Sequence, residues 1–171
     1  MTAPDYIDNH SAVVDFYGYW PSFHDAKVRA YKRPTAKDPS LSFTLHTWRM
    51  ADQVDPKGFF VLKDHSLVSF HFDGLSEVDM DLFQSGNILF GVAFHLLDDS
   101  ALFRVELDSV MDMSGSFAAS AGRVVSILPC DSDGKPVEQI SSPGPPPVSR
   151  PNALVSEMPD SPPAPASGVG W

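Results

Sequence analysis

The chain has 171 residues, 43% of them hydrophobic, a single cysteine and a formal net charge of −10. That length suits one domain plus an extra segment, and one cysteine, Cys130, excludes an intrachain disulfide and fits a reducing compartment. The negative charge argues against a nucleic-acid binder and against attachment to an anionic membrane surface, since both need a basic footprint.

The first ten residues, MTAPDYIDNH, carry neither the basic stretch nor the apolar run of a secretion signal. The longest run of apolar residues and glycine, ILFGVAF at 88–94, falls far short of the roughly 20 residues that span a bilayer. A cytoplasmic protein is expected. Residues 11–17, SAVVDFY, predict one short helix, with Ser11 or Asn9 as N-cap and Gly18 in the left-handed position after its end. From Asp25 onward the pattern is strand-like. The predicted strands cover 25–31, 41–48, 58–72 (one long strand or two short ones), 76–83, 88–97, 102–108 and 115–128. The expected class is α+β, mostly β: an antiparallel sheet domain of about seven strands with one short N-terminal helix.

Composition changes near Gly134. Residues 134–171 hold 10 of the 16 prolines and no aromatic except Trp171. The expected organisation is a β-rich domain over 1–133 and a proline-rich disordered tail over 134–171, the tail serving as a spacer. Charge is uneven within the domain. Residues 1–63 carry 8 basic and 7 acidic side chains, whereas residues 64–133 carry 2 basic and 12 acidic.

Two hairpins can be tested for register. At Asp73-Gly74, a three-residue loop with Gly74 in the left-handed region pairs Phe70 with Ser76 and Val68 with Val78. That places Val78, Met80 and Leu82 on the core side. It also gathers His65, Leu67, Ser69 and His71 beside Glu77, Asp79 and Asp81 on the other. At LLDDSALF, an even-length loop aligns Phe94 with Val105 and Leu96 with Phe103. Gly91 and Ala93 on the outer face are small enough for close packing, with the helix as the candidate cover.

Motifs for standard chemistry are missing. There is no phosphate-binding glycine loop, nucleophile elbow or HExxH, and one cysteine cannot supply a zinc site with cysteine pairs. No enzyme activity, cofactor or metal is expected. The alternative is a small metal-binding or hydrolytic domain using His24 and Asp25, or His65 and His71. For WPSFHD at 20–25 the stronger reading is structural. Trp20 and Phe23 plug the end of the core, Pro21 ends a donor ladder, and His24 or Asp25 bonds backbone groups that the turn leaves unpaired. His24 and Asp25, as neighbours at a strand start, would point to opposite faces. The carboxylates Glu77, Asp79 and Asp81, one every second residue, read either as a solvated strand face or as a docking surface for lysine and arginine. Asp98 and Asp99 join them as candidate partner contacts.

The stretch YGYWPSFHDAKV resembles the signature of the immunity protein 50 family of bacterial polymorphic toxin systems. SLVSFHFDGLSEVDMDLFQSGNILFGVAF, with Asn87 before the long apolar strand, and FRVELDSVMDMSGSFAASAGRVVSI are similar to the rest of its pattern. The resemblance covers about residues 12–128. Lys27 stands where the family pattern more often has an acidic residue. The resemblance implies a mostly β, non-enzymatic protein that binds and neutralises a cognate toxin domain, often a basic one, in the cytoplasm of the producing cell. It also implies that Trp20, Pro21, Phe23, His24 and Asp25 hold the fold rather than read one partner. A β-rich interaction module unrelated to toxins is the third reading.

Overall fold

The structure, a computed structural model, describes residues 3–98 and 101–137. Its elements are one helix, α1 (His10–Tyr17), and eight strands. The strands are β1 (Lys27–Lys32), β2 (Leu41–Val54), β3 (Phe60–Asp73), β4 (Ser76–Asp79), β5 (Leu89–Leu96), β6 (Phe103–Ser109), β7 (Gly115–Ala119) and β8 (Ala121–Pro129). They form two four-stranded antiparallel sheets, ordered β1-β2-β3-β8 and β4-β7-β6-β5. The mostly β class with one N-terminal helix is as expected. The strand count rises to eight because the stretch read as one strand over 115–128 breaks at Ser120. The proline-rich tail, from residue 138 on, lies outside the described residues; residues 134–137 turn back so that Val137 N–H donates to Pro129 O (3.0 Å).

Alternation explains the core. Phe43 and Leu45 on β2, Val68, Phe70 and Phe72 on β3, and Val124 on β8 point inward from the first sheet. Phe103, Val105 and Leu107 on β6 and Phe117 on β7 answer from the second. Rings meet across the gap: Phe72 lies 4.9 Å from Phe117 and 6.3 Å from Phe103, and Phe70 lies 6.2 Å from Phe94. Each such pair adds about 0.5–1.5 kcal/mol beyond its buried area.

The helix packs against β8 and buries Val13 and Tyr17, one turn apart, with the Tyr17 hydroxyl 2.6 Å from Ser66 Oγ on β3. Gly18 closes it as expected, with φ 80° and its N–H on Val14 O. Asn9 occupies the N-cap position, its carbonyl accepting from Ala12 N–H (3.2 Å), but its side chain does not cap the helix; the side-chain amide donates instead to Val124 O (3.0 Å).

The register at β5–β6 is the expected one, with Phe94 opposite Val105 and Leu96 opposite Phe103. The Asp73-Gly74 hairpin does not form. β3 pairs with β2 and β8, while β4 pairs with β7 in the other sheet. Gly74 does take φ 62°, but there it turns the chain across to the second sheet. The chain returns at Ser120, whose N–H bonds Asp73 O and Gly74 O. A Cβ on Gly74 would sit 2.0 Å from Ser120 Oγ and 3.1 Å from its Cβ, so the two crossovers touch and any larger residue would force Ser120 to move. His65, Leu67, Ser69 and His71 do share the outward face of β3, but beside β2 and β8 rather than beside Glu77 and Asp79. Val78 and Leu82 are exposed and only Met80 is buried: β4 is exposed along its whole length, carries an irregularity between Ser76 and Asp79 with Glu77 at φ 50°, and ends at Asp79, before Met80 and Leu82.

β2 and β3 outrun their neighbours. β1 pairs with β2 only as far as His46, and β8 with β3 only as far as Ser66. Beyond those points the two strands continue as a two-stranded ribbon, with Met50 opposite Leu62 and Val54 opposite Phe60. Asp55 closes its tip, accepting the Lys57 and Phe59 N–H groups on its carboxylate.

Candidate functional site

WPSFHD lies where the edges of the two sheets meet. Trp20, Pro21 and Phe23 are buried. The Trp20 ring meets Phe23, Phe70 and Phe94 edge-on at 5.7, 6.3 and 5.7 Å, so one indole touches both sheets. The backbone does the stitching. Ser22 O accepts from Val92 N–H (3.0 Å), Asp25 N–H donates to Leu89 O (2.8 Å), and Leu89 N–H donates to Ala26 O (2.9 Å). Val28 N–H then bonds Asn87 O (2.8 Å), and Lys27 bridges Ile88. These bonds join β1 to β5, the edge strands of the two sheets, and leave neither edge open there. Asn87 is buried, and its side-chain amide holds Met113 O at 3.1 Å.

Close packing at Gly91 comes from this stretch and not from the helix: a Cβ there would stand 3.3 Å from Ser22 O. Phe23 and Asp25 both adopt left-handed backbone, φ 58° and 62°. Asp25 therefore does not begin a strand, and its carboxylate swings back to His24 Nδ1 at 3.0 Å, with side-chain exposures of 49% and 60%. The expected opposition of the two side chains fails for this reason. Their expected bonds to the turn's backbone fail too, because main-chain groups of β5 already satisfy it.

The acidic residues divide into engaged and free. Glu77 pairs with Arg104. Arg33 donates to the Met80 and Asp81 carbonyls and stands 3.8 Å from the Asp81 carboxylate. Asp98 is exposed, and Asp99 lies outside the described residues. Asp79 belongs with two carboxylates the sequence reading passed over: Glu106 and Asp108, on the outward side of β6, line one shallow depression with it. Around them stand Ser114, Gly115 and Ser116. Glu106 has His95 at 3.7 Å and Asp108 accepts from Ser114 Oγ; among the described residues no lysine or arginine pairs with these three. The strict alternation in FRVELD was the signal that marks Glu106 and Asp108.

The histidines separate. His71 bonds Ser42 Oγ and Asp73 on the first sheet's outer face. His65 bonds the buried His46, Nδ1 to Nε2 at 3.1 Å. Burial, then the nearby His65, Arg29 and Lys27, lowers the His46 pKa to about 4, and burial also lowers that of His65. The pair is therefore neutral at pH 7. Among the described residues no three His, Cys, Asp or Glu side chains are grouped to hold a metal. No helix among them is long and apolar enough to cross a membrane.

Beside WPSFHD the foot of the ribbon forms a groove. Trp48 is its wall, shared by a depression of about 170 Å³ reaching Tyr19 and Met50 and one of about 410 Å³ reaching Leu62 and Ile88. Lys27 Nζ lies 5.8 Å from the Trp48 ring centre.

A family model described as immunity protein 50 matches residues 9–129, from the cap of α1 to the end of β8. The chain belongs to the immunity protein 50 family. The match covers both sheets and the whole Trp20–Asp25 corner. Comparison with curated proteins and with solved structures finds no match.

Proposed function

We propose that this protein works without catalysis in the cytoplasm of the cell that makes it. It would neutralise a cognate toxin domain by binding one-to-one over the toxin's active surface. Membership of the immunity protein 50 family carries this reading. The carboxylates Asp79, Glu106 and Asp108, paired with no lysine or arginine among the described residues, support a basic partner, with Asp98 as a further contact; complementary charge of this kind speeds encounter and sets specificity. Glu77 and Asp81, already held by Arg104 and Arg33, contribute less.

The test is co-expression with the toxin domain encoded beside the gene. Restored growth and a one-to-one complex on size exclusion are expected. Toxicity unchanged by the protein, with no complex, overturns the proposal. The His24–Asp25 contact is the one observation that favours a hydrolytic reading. A folded His24→Ala variant that still binds the toxin domain but no longer protects would transfer the function to that pair.

A further inference from the structure

We propose that the partner is gripped along one continuous track, from the β2–β3 ribbon past the Trp20–Asp25 corner to the outer face of the second sheet. Its occupant is an extended segment of the partner protein, with apolar side chains at one end and lysine or arginine at the other. This rests on the proposed function and specifies the chemistry of the toxin surface.

Continuity comes from shared walls. The two depressions at the foot of the ribbon share Asp25 and Trp48. The smaller of them shares Ser22 with a third beneath Phe90. The third shares Glu106 and Asp108 with the depression that reaches Asp79. The family motif is thus the midpoint of the track, and its exposed Ser22 and His24 and half-buried Asp25 form part of the floor.

The ends differ in chemistry. At the ribbon, Met50 and Leu62 are 54% and 41% exposed, and Phe59 and Phe60 are exposed further out. β2 beyond His46 has no strand on its β1 side among the described residues. An apolar ribbon with open edges is a template for another strand. At the other end the carboxylates of Asp79, Glu106 and Asp108 await a cation. A second copy of this chain fits poorly: residues 64–133 offer 2 basic groups against 12 acidic ones, and two chains of charge −10 repel. A basic, β-forming segment of another protein satisfies both ends.

The test uses the full-length chain against the toxin domain encoded beside its gene. Two double variants, Met50→Glu with Leu62→Glu and Glu106→Lys with Asp108→Lys, should each weaken the Kd by about 30-fold or more. The first should act through faster dissociation at any salt. The second should slow association and flatten its salt dependence. Val125→Glu, on the first sheet's outer face, should stay within about twofold of wild type. Wild-type affinity in both double variants overturns the track and leaves the proposed function standing. If wild type itself does not bind the toxin, the function fails and a peptide decides the track. That peptide has an alternating valine–phenylalanine half followed by lysines, and it should shift the amide resonances of residues 47–50, 91–93 and 106–108. Its counterpart with glutamates for lysines should not. No shifts from the lysine peptide, or a dimer that the Met50→Glu, Leu62→Glu variant dissolves, overturns the inference.

Discussion

Replacing Trp20 with alanine tests whether the corner is a mechanical part. The ring is 2% exposed and touches Phe23, Phe70 and Phe94, on both sheets and the corner itself. Burying an indole removes about 200 Å² from water, worth at most about 5 kcal/mol at 25 cal/mol/Å². Large-to-small changes of this kind lose about 3–5 kcal/mol. Against a typical stability of about 5–15 kcal/mol that is a large fraction, and it corresponds to a fall in Tm of about 10–20 °C. His24→Ala is the control. Its ring is exposed and meets only the half-exposed Asp25 carboxylate and, at 6.3 Å, the exposed Phe90 ring, so the loss should stay below about 0.5 kcal/mol. Urea melts followed by far-UV circular dichroism read both variants without relying on the fluorescence of the residue removed. A Trp20→Ala loss under about 1 kcal/mol, or an equal loss in His24→Ala, would refute the claim that the indole holds the sheets together.

The His46–His65 pair predicts a pH dependence. Burial lowers the His46 pKa from 6.5 to about 4, so its contribution is complete above pH 6.5 and disappears as pH falls toward 4. The loss is on the order of 3 kcal/mol, and His46→Asn should flatten that part of the curve; parallel curves for the two proteins would contradict it. Two glycines separate crowding from backbone strain. Gly58 has φ 85° with open space around it, so Gly58→Ala should lose only about 1 kcal/mol, whereas Gly74→Ala also drives a Cβ into Ser120 and should lose clearly more. Equal melting midpoints for the two variants would show that the crossover yields without strain.

The sequence carried the local rules and lacked the partner of each strand. Gly18 marked the helix end and the alternation in ILFGVAFHL and LFRVELD fixed β5 against β6, because period and turn chemistry act over a few residues. Val68, Phe70 and Phe72 were legible as core, but alternating strands face one another equally well within a hairpin or across a sandwich. Nothing in Asp73-Gly74 states which. Only the contact with Ser120, 46 residues on, decides it. Glu77, Asp79 and Asp81 alternate in the sequence like one stripe, but Glu77 takes φ 50° and β4 ends at Asp79, before Asp81. WPSFHD was legible as an anchor through its large rings, yet its role as a clasp between β1 and β5 depends on backbone groups, which every sequence possesses alike. The groove at Trp48 escaped notice for a related reason: an exposed continuation of two strands reads, residue by residue, like more sheet.

Residues near the two ends of the domain depend on each other. Asp8 N–H bonds Gly122 O, Val124 N–H bonds Asp8 O, and Asn9 reaches Val124. A ribosome makes the first of these groups more than a hundred residues before the last. Throughout that interval the helix has no β8 to lie against. A nascent chain stalled before residue 121 would lack the strand that completes the first sheet, so the fold should close only once β8 has cleared the exit tunnel.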